Sequence, residues 1–406
     1  MKKVFDFKTQ TLGVSNTLFD LGEVFIGSLK DGLDGVCKKF AGKKIEVVIT
    51  EKDFKKIGGS IVEEIKLLGV KLNLITVDEK SVSYLSIKSL LGASVGARLV
   101  VGDKNLLTTV RCVSSESKAP CFALLTSPSL ENILSDEIFI ETDGKVKKLT
   151  AKKFEKIIID KDLILKSRSE NFAEAYALSV SKLTALIDYK MGCFLSGATL
   201  DGELFSTVQK AVNLALSFPL YENGKEAILA SQVILALLNA KNGAIAGLGA
   251  ECVTRALSVY ASESKDCKKA FVALEKTLKL YHMFFTNDFS SLLSVPDYFS
   301  DIEKISVDFN FGESFYDNLK IPSEKRRKLI LLLLNKTAKD FALETSAILK
   351  AFSKIKKAYA SLIAVMGDGN VSYKQIKNSV NASAYLTDKT TVYTIMRDLG
   401  VLACAN

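Results

Sequence analysis

Short runs of β-branched residues alternate with segments of helical periodicity over the first 165 residues. Ile45–Thr50 and Lys71–Val77 predict buried strands, and the apolar residues of Gly59–Leu68 between them recur at helical spacing. Further strands are predicted over Arg98–Val101, Cys121–Leu125 and Lys156–Ile159. Strands that alternate with helices in this way indicate a parallel sheet covered by helices.

The alternation is interrupted once and then ends. Glu137–Glu141 and Lys145–Leu149 flank Thr142-Asp143-Gly144, which is typical of an antiparallel hairpin. After Asp162 only helical spacing remains. The predicted helices cover Ala173–Met191, Glu203–Ser217, Lys225–Ala240, Ala250–Tyr260, Lys268–Phe285 and Glu324–Ala360. We therefore predict a Rossmann-like α/β domain over residues 1–164 and an all-helical bundle over residues 165–406.

Composition narrows the chemistry. The 406 residues include one histidine, His282, so a zinc site with two or three histidines is excluded. The net charge of +9 comes from scattered lysines without a basic stripe, which does not favour nucleic-acid binding. Seven cysteines without a CxxC pair, and the absence of a signal-peptide pattern, predict a reduced cytoplasmic protein. The longest apolar run, Leu329–Leu334, is too short to span a membrane.

Two predicted strand ends carry candidate binding residues. Val101-Gly102-Asp103-Lys104 leads from a strand into a helix, either as a phosphate-binding turn or as an ordinary strand-to-helix turn. The segment Thr126–Ser135 places several hydroxyls and one carboxylate after a buried strand. It either binds a ribose, phosphate or polyol, or consists of ordinary turn residues.

Five segments in chain order carry a resemblance to a known family. Val101–Ser114 is similar to V-G-x-G-x-x-x-D-x-x-K-x-x-[SA], and Leu125–Ser135 to P-T-x-x-S-x-D-G-x-x-S. Ser181–Tyr189 is similar to the end of G-D-x-x-[AS]-K-x-T-A-x-x-D-W, Gly249–Cys252 to G-[SA]-E-H, and Asp388–Met396 to R-x-R-Y-T-I-L. Together they resemble the iron-containing alcohol dehydrogenase and dehydroquinate synthase superfamily, and within it the sn-glycerol-1-phosphate dehydrogenases.

The resemblance implies an NAD(P)-binding α/β domain, a helical domain for metal and substrate, and a homodimer. By position it assigns a cofactor-binding role to Gly102, Lys104, Thr126, Ser129 and Ser135. It also assigns a substrate role to Glu131. Lys104 replaces the second glycine of the phosphate turn, where its side chain would crowd a pyrophosphate and its charge would attract one.

The metal ligands that the resemblance implies, one aspartate and two histidines, are missing. The aspartate position holds Leu178, the first histidine position holds Cys252, and the second falls at Lys268 or Lys269. We therefore expect no zinc. One alternative is a rebuilt zinc site of Glu174, Cys252 and Cys267. Another is that a lysine near 268–269 replaces the cation and holds a phosphate.

Two functions remain open. The chain is either a divergent NAD(P)-dependent dehydrogenase acting on a polyol phosphate, or a non-catalytic relative. The relative would bind a nucleotide or sugar phosphate, or act as a partner subunit. The loss of the implied ligands favours the second.

Overall fold

The computed structural model describes residues 23–40, 42–92, 95–117, 119–130, 133–135, 137–142, 145–218, 224–243, 245–287, 305–309, 324–363 and 370–402. The chain forms two compact units. The first comprises Met1–Phe172 and Lys225–Gly243, and the second Ala173–Gly224 and Ala244–Asn406. We call them the α/β unit and the helical unit. Each unit combines two segments of the chain, so this division does not test a single boundary along the sequence, and the domain boundary at residue 164 stays a prediction.

A six-stranded parallel sheet forms the centre of the α/β unit, in the order β1-β8-β5-β4-β2-β3. Its strands are β1 (Glu23–Ile26), β2 (Lys44–Thr50), β3 (Lys71–Val77), β4 (Ala97–Gly102), β5 (Cys121–Leu125) and β8 (Lys156–Ile159). A separate antiparallel hairpin pairs β6 (Glu137–Thr142) with β7 (Lys145–Thr150). The predicted parallel sheet and hairpin are confirmed, and β1 is an edge strand that the sequence reading missed.

The central strands are apolar on both faces because helices cover both sides of the sheet. On one face Val47 and Leu99, which are register partners, pack with Ile61 and Ile65 of a helix. The helices of this unit include a later one, α9, that the chain contributes after it has entered the helical unit. They are α1 (Leu29–Cys37), α2 (Glu51–Asp53), α3 (Gly59–Leu67), α4 (Tyr84–Leu90), α5 (Lys104–Ser117), α6 (Lys161–Leu165) and α9 (Gly224–Asn242).

Helices make up the second unit, as the sequence predicts. They are α7 (Ser169–Ser196), α8 (Gly202–Leu216), α10 (Ala250–Tyr260), α11 (Asp266–Thr286), α12 (Glu324–Leu362), α13 (Tyr373–Ser383) and α14 (Val392–Asp398). The predicted fold class, a parallel-sheet unit followed by a mostly helical part, is confirmed. In the described part of the chain, no helix combines the length and the apolar character needed to cross a membrane.

A buried ion pair lies within the sheet. Arg98 on β4 donates from Nε to Glu46 Oε2 on β2 at 2.8 Å, and both side chains are 1% exposed. The second carboxylate oxygen accepts from Asn73 Nδ2 at 3.1 Å and from the Gly92 amide at 3.2 Å. The guanidinium also donates to the Ser117 hydroxyl. Both charges are therefore compensated inside the unit.

A single carboxylate joins the segments of the helical unit. Asp188 on α7 accepts from the Gly249 amide at 2.6 Å and the Tyr281 hydroxyl at 2.9 Å through Oδ2. Its Oδ1 accepts from the Val392 amide at 2.8 Å. Three distant parts of the chain are thus attached to α7, and the turn that precedes α10 is one of them.

No residue with a side chain can replace Gly249, the residue before α10, without strain. Its φ of 58° is in the left-handed region, and a Cβ there would lie 2.1 Å from Thr184 Oγ1. The Ala250 amide donates to the same hydroxyl at 2.9 Å. The first residues of α10 are therefore held against α7.

Removal of one partner of the Glu46–Arg98 pair should destabilise the chain strongly. In Arg98→Met the Glu46 carboxylate stays buried without its cation, which we expect to cost about 3–5 kcal/mol in urea unfolding. As a control, Lys38→Met breaks an exposed pair with Asp34 and should cost less than about 1 kcal/mol. Equal costs for the two variants would contradict the role assigned to the buried pair.

The stability of the chain should depend on pH through Asp188. Burial raises the pKa of this carboxyl from 3.8 to about 7, against the opposing effect of its three hydrogen bonds. The folded chain thus retains a proton that the unfolded chain releases, so this contribution is full below pH 3.8 and is lost as the pH rises through about 7.

Urea unfolding of the wild type and Asp188→Asn at pH 5 and pH 8 measures this contribution. Relative to the variant, the wild type should lose roughly 2–3 kcal/mol between the two pH values. Parallel changes in the two proteins would show that Asp188 does not bind the proton.

Candidate functional site

The carboxyl ends of β8, β5, β4 and β2 lie side by side, because these strands are parallel neighbours. Ligands of open parallel sheets bind beyond this edge. Four polar residues follow the strands here: Asp53 after β2, Asp103 after β4, Thr126 after β5 and Asp160 after β8. Three of the four are aspartates, so the edge is rich in carboxylates.

Asp103 caps the helix that follows β4. Its Oδ1 accepts from the Asn105 amide at 3.0 Å and the Leu106 amide at 3.2 Å, at the first turn of α5. Burial raises the pKa of this carboxyl, while its hydrogen bonds and the neighbouring Lys104 act in the opposite direction. The first turn of α5 thus carries an internal carboxylate cap.

Gly102 and Lys104 lie on either side of this cap. A Cβ on Gly102 would come within 2.9 Å of Leu106 Cδ2. The glycine therefore permits close packing of strand and helix at this turn. Lys104 is the first residue of α5 and is half-buried.

Thr126 is bonded to the neighbouring strand end. Its hydroxyl donates to Asp53 Oδ2 at 3.0 Å, and its amide donates to the Gly102 carbonyl at 3.0 Å. The Asp53 amide in turn donates to the Thr50 hydroxyl at 3.0 Å. The ends of β2 and β5 are therefore linked by polar side chains, and a backbone hydrogen bond links the ends of β4 and β5.

Two buried side chains hold the hydroxyl-rich loop after β5. Arg111 of α5 donates to the Ile133 carbonyl at 2.6 Å and to the Ser135 carbonyl at 2.7 Å. Gln232 of α9 accepts from the Leu130 amide at 3.1 Å. Ser129 of the same loop is 2% exposed. The predicted substrate residue Glu131 lies outside the described residues.

The structure thus brings Gly102, Lys104 and Thr126 to one sheet edge, with Ser129 and Ser135 in the adjoining loop. The nucleotide-binding role of these residues stays a prediction. Sequence reasoning missed the roles of Asp53, Asp103, Arg111 and Gln232 at this edge. Only Asp103 had a local signal, since an aspartate directly before a helix is a preferred N-cap.

Asp160, which directly follows β8, bonds to the first turns of two helices. It accepts from the Leu163 amide of α6 at 3.0 Å and from the Leu29 amide of α1 at 2.7 Å. Both carboxylate oxygens are used in these two contacts. In these contacts Asp160 therefore stabilises the starts of α6 and α1.

In the helical unit, the positions assigned to metal ligands hold side chains that do not fit zinc. Leu178 is buried and offers no donor atom. The Cys252 thiol donates to the Gly247 carbonyl at 2.8 Å, and burial raises its pKa to about 12, which disfavours the thiolate that zinc requires. Lys269 is buried and pairs with Asp266 at 3.0 Å.

The alternative zinc site of Glu174, Cys252 and Cys267 is not formed. Among the described residues, no group of three or more His, Cys, Asp or Glu side chains is placed to hold a metal ion. Cys267 lies at the start of α11, where its carbonyl accepts from the Tyr359 hydroxyl at 2.8 Å, whereas the Cys252 thiol contacts the turn before α10. The physical reason is that the Cys252 thiol bonds to the Gly247 carbonyl and forms no metal-binding group with the other two side chains.

Basic side chains surround the turn before α10. Lys182 Nζ lies 2.5 Å from Glu251 Oε2, and Arg255 Nη2 lies 2.6 Å from Glu251 Oε1. Lys389 Nζ donates to the Ala246 carbonyl at 2.8 Å. The charges of Arg255 and Lys389 both oppose the rise in the pKa of Cys252 that burial causes. We call Lys182, Arg255 and Lys389 the basic cluster.

The single histidine bonds to a residue outside the basic cluster. His282 on α11 is half-buried, and its Nδ1 is 3.0 Å from the Thr345 hydroxyl on α12. It is a partly buried helix residue.

Comparison with known proteins detects the fold and nothing finer. No protein-family model matches the chain, and no curated protein sequence does. An iron-containing alcohol dehydrogenase from Thermotoga maritima is similar in structure, with a TM-score of 0.57 and 11% identity, over 94% of this chain and 97% of that one. A probable glycerol dehydrogenase from Sinorhizobium meliloti 1021 gives 0.56 and 10%, over 95% and 97%.

A third similar structure is the sulfoacetaldehyde reductase from Bifidobacterium kashiwanohense in complex with NAD+. Its TM-score is 0.59 at 12% identity, over 95% of this chain and 96% of that one. At such low identity the likeness concerns the fold. The resemblance predicted from the sequence motifs is therefore confirmed at that level: the chain has the fold of the iron-containing alcohol and glycerol dehydrogenases.

Proposed function

We propose that this chain is a non-catalytic protein that binds a small phosphorylated molecule, with a polyol phosphate as the class that the sequence resemblance favours. The observation that carries the proposal is the basic cluster around the turn before α10. Cys252, at the position of the first implied metal histidine, lies in the same turn of that helix. Side-chain cations thus contact Glu251 and Ala246, which are near the position where the resemblance implies a metal ligand.

The basic side chains of this region support an anionic ligand. Two cations of the basic cluster, Lys182 and Arg255, share the Glu251 carboxylate, and Lys389 donates to the Ala246 carbonyl at 2.8 Å. A second acidic group at this turn is Asp188, which accepts from the Gly249 amide and whose pKa is raised by burial to about 7, so that it is only partly charged at neutral pH. Three basic side chains thus lie around this turn, and arginine and lysine are the residues that bind phosphate.

The same residues argue against hydride transfer from an alcohol. A divalent metal ion makes an alcohol oxygen more alkoxide-like and so promotes hydride loss. Leu178, Cys252 and Lys269 do not supply the donor set for such an ion. A lysine that replaces the cation was predicted near 268–269, but Lys269 pairs with Asp266, and we assign that role to the basic cluster instead.

The second candidate function is an NAD(P)-dependent dehydrogenase. The fold shared with alcohol and glycerol dehydrogenases over nearly the whole chain favours it. A homodimer and a cytoplasmic location stay predictions from the sequence for either function.

Calorimetric titration with glycerol 1-phosphate, and with glycerol as the uncharged counterpart, tests the proposal. We expect the phosphate to bind and glycerol not to bind. Lys389→Ala should weaken binding about 10-fold or more, because a charge-assisted hydrogen bond contributes about 1.5–3 kcal/mol. As a control, Lys279→Ala removes an exposed lysine of α11 that pairs with Glu275 and should leave binding unchanged.

Elemental analysis and NADH oxidation with dihydroxyacetone phosphate separate the two functions. We expect no stoichiometric zinc and no substrate-dependent oxidation of NADH. Bound zinc together with turnover would establish the dehydrogenase and refute the non-catalytic proposal.

A further inference from the structure

The turn between β4 and α5 is where the resemblance predicts that the pyrophosphate of a dinucleotide binds. Phosphates bind at such turns because the first amides of the helix point at the ligand and the helix dipole favours negative charge. A glycine-rich turn is needed so that the backbone can approach the phosphate closely. The described residues of this turn can be tested against both requirements.

The amides that a phosphate would use already have acceptors. Those of Asn105 and Leu106 donate to Asp103 Oδ1 at 3.0 and 3.2 Å. The next amide, of Leu107, donates to the Asp103 carbonyl at 3.0 Å. A phosphate would have to displace the Asp103 side chain before it could bind the first two.

Acidic side chains at the turn also oppose a phosphate. Besides burial, the charge of Asp53, which is 8% exposed, raises the pKa of the Asp103 carboxyl, whereas the charge of Lys104 lowers it. Lys104, the first residue of α5, would attract a phosphate. Thr126, another predicted cofactor contact, donates its hydroxyl to Asp53. A pyrophosphate would thus meet two acidic side chains beside one lysine, and a hydroxyl that is already bonded.

The single glycine of the turn does not form an open cradle. The Leu106 side chain packs against Gly102, and a Cβ at Gly102 would lie only 2.9 Å from Leu106 Cδ2. The space beside Gly102 is therefore filled by the packing of β4 against α5. The residues present do not fit a dinucleotide in the position that the resemblance implies.

We infer that Asp103 closes this turn to dinucleotides by occupying, with its own carboxylate, the amides that a pyrophosphate needs. Asp103 is then the specificity-determining residue of the sheet edge, and the α/β unit keeps a dinucleotide-binding architecture without binding the dinucleotide. The inference is independent of the proposed phosphate binding, which concerns residues of the helical unit.

Titration of the full chain with NAD+ and with inorganic pyrophosphate at low salt tests the inference. Glycine is tolerated at a helix N-cap at small cost, so Asp103→Gly frees the two amides and removes the charge while α5 persists. We expect this variant to bind both probes at least 10-fold more tightly than the wild type. Asp103→Asn, which keeps a capping oxygen without the charge, should gain less than the glycine variant.

Asp201→Gly is the matched control. Asp201 caps α8 with the same geometry, because its Oδ1 accepts from the Glu203 and Leu204 amides at 3.0 Å each. This variant should bind neither probe more tightly than the wild type. Circular dichroism establishes that each variant is folded before it is titrated.

Tight NAD+ binding by the wild type would overturn the inference, as would a folded Asp103→Gly variant without any gain for either probe. An equal gain in Asp201→Gly would also overturn it, since the effect would then not belong to the β4–α5 turn. Glycerol 1-phosphate binding should be the same in Asp103→Gly and the wild type, so this experiment and the test of the proposed function fail separately.

Discussion

The helical unit depends on the buried carboxylate of Asp188. It is fully buried on α7 and accepts hydrogen bonds from the Gly249 amide, the Tyr281 hydroxyl and the Val392 amide. Hydrogen bonds in a dry interior are strong, and the loss of a buried acceptor leaves its donors unsatisfied. The position of α10, and with it that of Glu251, Cys252 and Arg255, follows from this contact.

Carboxylates have a similar structural role at the edge of the sheet. Asp53, Asp103 and Asp160 satisfy a hydroxyl or helix amides where parallel-sheet proteins often bind a ligand. An acidic side chain at a helix N-terminus stabilises the helix in the same way as a bound anion does. The fold can therefore persist without a nucleotide, and its architecture alone does not establish that one binds.

Much of the fold could be predicted because periodicity is a local property. The strands Lys71–Val77 and Cys121–Leu125 and the helix Ala250–Tyr260 have the bounds that their patterns predict. The edge strand Glu23–Ile26 was missed, because four residues without a clear alternation become a strand only by pairing with β8. The candidate site was less predictable, since Arg111 and Gln232 reach their loop from helices that no spacing rule connects to it.

The sequence by itself determined the order of strands and helices, and its single histidine excluded a zinc site with two histidines. Both are properties of residue type and of spacing within a few positions. Only the tertiary structure decided which buried polar groups meet. Lys182 pairs with Glu251, and Asp188 accepts from the amide of Val392, which is 204 positions away in the chain. Local patterns record which face of an element is buried, whereas the partner of a buried polar group depends on how distant segments pack.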